Sequence, residues 1–239
     1  FEDLFVKEAS LRIVGTAHVS KASKEFVAEE LDRGFYDCVA VELCSSRFQQ
    51  LTDPASLETM DLFQVIKQKR VSTLAVMLAM GAFQRRIAAK FDLEPGAELK
   101  IAVDSARAKN LPIELIDRDI GTTFSRFFGT VSWWERLQVF GGLFTAIVTK
   151  DDPSEAEVES LKKGDMLEQV MSGLAESSPS IHGVLVAERD KYMAAKLIKV
   201  CEKKRKVIAI VGAGHLKGLC EILKTPFDNS AEVLRELET

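Results

Sequence analysis

Four short apolar runs, set apart by helical stretches, constrain this chain more than any other feature. Residues 11–15, 38–43, 112–116 and 207–211 are rich in Val and Ile and bounded by turn residues or helical patterns, as buried strands are. Between them the periodicity turns helical. Ser20 caps a predicted helix over residues 21–33, which Gly34 ends. Pro95 suits the first turn of another that reaches Ala108, with Leu99, Ala102, Val103 and Ala106 as its apolar stripe. Ser154 and Ser180 open two more, and Gly214 leads into a short one over residues 216–223. Parallel strands need crossovers, so this alternation predicts an α/β fold: a parallel or mixed central sheet with helices on both faces. Two long stretches, at about 48–91 and 122–171, carry no strand signal. They read as helical insertions capping the C-terminal edge of the strands, within a single domain over residues 1–239.

Composition narrows the function. With 239 residues and 46% hydrophobic content the chain can bury one sizeable core. A net charge of −4 gives no basic excess, which speaks against a nucleic-acid partner. The four cysteines, at 38, 44, 201 and 220, form no CxxC pair and are expected reduced and buried. The longest apolar candidate, residues 140–148, falls well short of the roughly 18 residues of a membrane span. A chain that opens on Phe1 rather than Met reads as part of a longer protein.

Chemistry-bearing residues gather at strand ends. His18 closes Gly15-Thr16-Ala17-His18 after the first predicted strand, and His215 closes Gly212-Ala213-Gly214-His215 after the last. Residues just past parallel strands collect on one edge of a sheet, where α/β proteins place ligands. Glu42 ends the second run, and Asp117, Arg118 and Asp119 follow the third. Two imidazoles and a carboxylate form a common ligand set for divalent Zn, Mn, Co or Fe. Glu42 has a competing structural reading, as the ion-pair partner of Arg47 or Arg189. Arg189 lies on an i, i+4 row with Ile181, Leu185, Met193 and Leu197, so it rides near an apolar helix face and needs a carboxylate or an anionic substrate group. Glu98 sits near the first turn after Pro95, where it either complements the helix dipole or reaches the cluster. Cys44 reads as a small buried residue rather than a nucleophile. Gly212, Gly214 and Gly218 resemble a dinucleotide fingerprint, but too little chain follows for the next strand and its acidic residue. Phe124, Phe127, Phe128, Trp133, Trp134, Phe140 and Phe144 are more rings than one amphipathic face needs, which predicts cover by a second copy in a homodimer.

Six spaced motifs carry a family resemblance. They are Val14-Gly15-Thr16-Ala17-His18-Val19-Ser20; Val41-Glu42-Leu43-Cys44 with Arg47 beyond; Pro95-Gly96-Ala97-Glu98; Leu115-Ile116-Asp117-Arg118-Asp119; Glu188-Arg189-Asp190-Lys191-Tyr192-Met193-Ala194; and Val211-Gly212-Ala213-Gly214-His215. In this order they resemble the TraB family, whose superfamily joins TraB and PrgY (inhibitors of peptide pheromone signalling), GumN, and the Tiki proteins that cleave the amino terminus of Wnt. Tiki proteins are metal-dependent proteases preferring Mn or Co, with two GxxH motifs and a glutamate essential. Carried over by motif, the resemblance implies a metal held by His18, His215 and Glu42, with Mn or Co first and Zn third. It implies hydrolysis of a peptide or small protein, with Glu98 or Asp117 completing the coordination or acting as general base and Arg189 positioning substrate or carboxylates. It also implies a membrane-anchored protein whose hydrophobic spans follow this domain. A haem-binding relative in the superfamily keeps the alternative in view, a peptide- or ligand-binding module without turnover. A closed network of Glu42, Asp117 and Arg189 would favour that alternative.

Overall fold

The structure, a computed structural model, describes residues 1–16, 21–53, 96–138, 141, 176–225 and 229–239. Its centre is a five-stranded sheet. The strands are β1 (Glu2–Val6), β2 (Ala9–Thr16), β3 (Cys38–Val41), β4 (Ile113–Leu115) and β5 (Lys206–Gly212), in the spatial order β1-β2-β5-β3-β4. β2, β5, β3 and β4 are parallel neighbours, and β1 adds an antiparallel edge. The sheet is therefore mixed, and its parallel part is built from the four apolar runs.

Helices cover both faces. α1 (Lys21–Arg33) and α3 (Ala97–Ala108) lie on one, with α2 (Ser45–Thr52) just beyond β3. Val27, Leu31, Leu99, Ala102, Val103 and Ala106 pack there against Val14, Val39, Val41, Ile208 and Ile210. On the other face a helix begins as α5 (Pro179–His182), passes through a π-helical turn (Gly183–Ala187) and continues as α6 (Glu188–Cys201). α6 and α7 (Ala213–Lys224) bring Met193, Ala194, Leu197, Leu219, Cys220 and Leu223 onto Leu11, Ile13, Cys38, Ala40, Val207, Ala209 and Val211. Along β3 and β5 alternate residues go to opposite faces, and both faces are apolar because both are covered. Full burial of each large side chain contributes roughly 1.5–3 kcal/mol. α8 (Ser230–Leu237) packs Leu234 and Leu237 against Tyr192 and Ala195 on the outer side of α6.

The i, i+4 row expected from Ile181 to Leu197 does not survive as one stripe. Ile181 and Leu185 join a satellite cluster with Phe127 and Val131 around α4 (Ile120–Thr130), whereas Met193 and Leu197 face the sheet. The π turn accounts for this, since an extra residue in one turn rotates everything after it relative to everything before. Of the two expected insertions, residues 54–91 and 142–171 lie outside the described residues. The described parts, α2 and α4 with its sequel, are helical. Among the described residues no helix is long and apolar enough to cross a membrane.

Candidate functional site

The register of the parallel strands sets the site. Thr16 pairs with Gly212, Val41 with Ile210, and Val41 with Leu115. Glu42 and Asp117 therefore follow directly on the same sheet edge as Gly212. Cys38 and Ala40 of β3 face α6 and α7, and the period of two sends Glu42 to that side too. There it meets Arg189. One Glu42 oxygen, Oε1, accepts from Arg189 Nη2 at 2.6 Å, and Oε2 accepts from the Gly212 backbone N–H at 2.6 Å.

Arg189 also forks onto Asp117, with Nε to Oδ1 and Nη2 to Oδ2 both at 2.9 Å. Its Nη1 donates to the Leu185 carbonyl of the π turn at 3.3 Å. Burial opposes the charge on this guanidinium, but Asp117 and Glu42 outweigh burial and hold its pKa above the usual value. Asp117 takes a further N–H from the Arg118 backbone at 2.8 Å and has the half-exposed Arg47 at 3.6 Å. Of the two partners expected for Glu42, Arg189 is the one that binds it, and Arg47 leans on Asp117.

His215 lies in the first turn of α7 rather than in a loop before it, because the helix starts immediately at Ala213. Its Nδ1 is 2.6 Å from Asp190 Oδ1, and its Nε2 is 3.5 Å from Glu42 Oε1. Asp190 is buried, and burial pushes its carboxyl up against the opposing pull of His215. In the sequence Asp190 is only one of four consecutive charged residues, Glu188-Arg189-Asp190-Lys191, with nothing local to mark it as buried. Glu98 is buried in the first turn of α3, which opens from Gly96 at φ 77°, a conformation suited to glycine. Cys44 is buried, with its Sγ 3.2 Å from Ser46 Oγ. His18 lies outside the described residues.

Among the described residues, the buried carboxylates Glu42, Asp117 and Asp190 lie around the partly buried guanidinium of Arg189, with Arg47 3.6 Å from Asp117. Between Glu42 and His215 an imidazolium or a bound cation would add to the positive charge that Arg189 supplies. An imidazole nitrogen and a carboxylate oxygen are donors that fit Mn, Co or Zn. Among the described residues no three His, Cys, Asp or Glu side chains gather as a metal site. Glu42 and His215 are two of the three donors that the motifs name.

A second ionic network adjoins the first. Arg118, 1% exposed, donates to Thr123 Oγ1 at 3.1 Å, Glu188 Oε2 at 2.7 Å and the Val184 carbonyl at 3.0 Å. Arg126 forks onto the same Glu188 carboxylate at 2.7 and 2.9 Å.

Fold and site together define an α/β domain with a buried acid–arginine–histidine centre at the carboxyl edge of a largely parallel sheet. The chain belongs to the TraB/PrgY/gumN family, which it matches over residues 6–226. It is 35% identical over 222 residues to an uncharacterized protein of Methanocaldococcus jannaschii, covering 92% of this chain and 54% of that one. It is 28% identical over 231 residues to a TraB domain-containing protein of Bos taurus, covering 87% and 60%. The corresponding Homo sapiens protein is 27% identical over 231 residues, covering 87% and 61%. The chain thus spans a little over half of the archaeal relative and about three fifths of the mammalian ones.

Proposed function

We propose that this domain binds a divalent cation at the strand-end centre and hydrolyses peptides with it. The observation that carries the reading is the pair of buried donors at the sheet edge, His215 Nε2 and Glu42 Oε1, 3.5 Å apart. In this proposal Glu42 supplies a carboxylate oxygen, and His215 an imidazole nitrogen. His18, four residues past Val14 in the opening motif, is the third donor. A bound Mn or Co supplies Lewis acidity and an activated water at neutral pH. Arg189 holds Glu42 and Asp117 in fixed positions. Asp117, which accepts from Arg189 and the Arg118 N–H, or Glu98 is the carboxylate proposed to complete the coordination or act as general base. The peptide class follows the family's peptide-acting members, and membrane attachment through segments outside this chain belongs to the same proposal.

The closed contact of Glu42 and Asp117 with Arg189 favours a second reading, a peptide-binding module without turnover. Incubation with a peptide library and Mn, with and without chelator, separates the two by mass spectrometry of new termini. Chelator-sensitive cleavage is expected. Saturable binding without products would replace the hydrolase by the module, and neither result would leave the family assignment alone standing. The homodimer is likewise a proposal: Trp133 and Trp134, stacked at 4.0 Å, are each 60% exposed. Light scattering is expected to give twice the chain mass; a monomer mass would refute it.

A further inference from the structure

Three successive residues of α6 turn to three separate sets of partners. Glu188 goes to Arg118 and Arg126, Arg189 to Glu42 and Asp117, and Asp190 to His215. On a helix, consecutive side chains point about 100° apart, so this division uses the full breadth of the buried face.

The contact between Asp190 and His215 is built from both sides. Asp190 is 4% exposed, and its Oδ1 lies 2.6 Å from Nδ1. On the far side stands Gly218, one turn along α7 from His215. A Cβ at Gly218 would meet Asp190 Oδ2 at 2.3 Å, well inside contact distance. The glycine that looked like part of a nucleotide fingerprint is thus the space in which a carboxylate sits. A carboxylate on Nδ1 fixes which ring nitrogen carries the proton and leaves the other as a lone pair. Here the other nitrogen, Nε2, faces Glu42 Oε1 at 3.5 Å.

We propose that Asp190 is the positioning residue for His215: it holds the ring as the Nδ1–H tautomer, with Nε2 presented to the Glu42 side, and Gly218 is the cavity that admits it. This rests on the reading of His215 as a donor of the site, but its test does not need turnover. The chain has three histidines, so ring signals of the full, metal-free protein can be assigned with His215→Ala. Long-range proton–nitrogen correlation spectra at alkaline pH then report the tautomer of His215. A pyrrole-type Nδ1 and a pyridine-type Nε2 are expected in the natural chain. Asp190→Asn should mix or invert the two, and weaken Mn binding by about 10–100-fold, the usual effect of losing an outer-shell partner. Gly218→Ala should do the same while keeping the carboxylate, and decides the matter should Asp190→Asn fail to fold. A proton on Nε2 in the natural chain would overturn the proposal, as would a natural tautomer retained in the folded variants. Absence of peptide cleavage would sink the hydrolase reading and leave this result intact.

Discussion

Two arginines, Arg118 buried and Arg189 partly buried, do different jobs in this molecule. Arg118 is spent: its donors end on Thr123, Glu188 and a π-turn carbonyl, and Glu188 is gripped by Arg126 as well. Arg189 is shared: it serves Glu42 and Asp117 while Asp190 stands beside it with His215. The Arg118 network joins arginines to one carboxylate and holds the fold together. The Arg189 network also brings an imidazole nitrogen, His215 Nε2, to 3.5 Å from a carboxylate oxygen, Glu42 Oε1. That juxtaposition, more than burial or proximity to a strand end, separates the structural network from the proposed cation site.

Removing Arg118 should break the comparison hardest. Arg118→Met leaves Glu188 with Arg126 and strips Thr123 and the Val184 carbonyl of this donor, and should cost roughly 3 kcal/mol, the upper end for buried groups left unsatisfied. Urea unfolding measures it, and Mn affinity of the folded fraction should stay at the natural level. Gly218→Ala comes next. In a helix with open surroundings this change stabilises by about 0.4–1 kcal/mol through the unfolded chain. Here it forces a Cβ onto Asp190 and should instead destabilise by about 1–3 kcal/mol, the usual range for overpacking.

The smallest effect concerns pH and has opposite signs in the two networks. Burial raises the Glu188 pKa, but hydrogen bonds from Arg126 and Arg118 prevail and set it below 4.5. Its contribution is complete above the unfolded value and is lost as pH falls through the folded one. Asp190 is held above 3.8 by burial, so its ionisation destabilises the fold as pH rises from that value through its folded pKa. Glu188→Gln should flatten the acid limb of the stability curve by no more than about 1 kcal/mol, given its partial solvation. Asp190→Asn should steepen it. Urea midpoints measured from pH 3 to 6 (about one to two units either side of the ordinary carboxylate values) resolve the two signs.

Much of this was legible beforehand. The four apolar runs became the four parallel strands, and Glu42, Asp117 and Gly212 emerged on one edge because strand ends in a parallel sheet must share it. Alternation from Cys38 and Ala40 even gives the side on which Glu42 projects. β1 lies outside the four apolar runs, because its residues alternate charge with apolarity instead of forming a continuous apolar stretch. Its hairpin turns through Lys7 at φ 54°, without the glycine or asparagine that announces such a turn. The π turn left no periodic signature either, and it moved Ile181 and Leu185 off the row that carried Arg189. Asp190 stayed hidden because its partner is 25 residues away on another helix, and no local pattern records that distance.

Mn titration of the metal-free protein, followed by calorimetry and electron paramagnetic resonance, tests the cation site most directly. One site is expected in the natural chain. Glu42→Gln and His215→Ala should each weaken it by more than the roughly 10–100-fold typical of an outer-shell loss. No binding by the natural chain, or unchanged affinity in both folded variants, would contradict a cation held between Glu42 and His215.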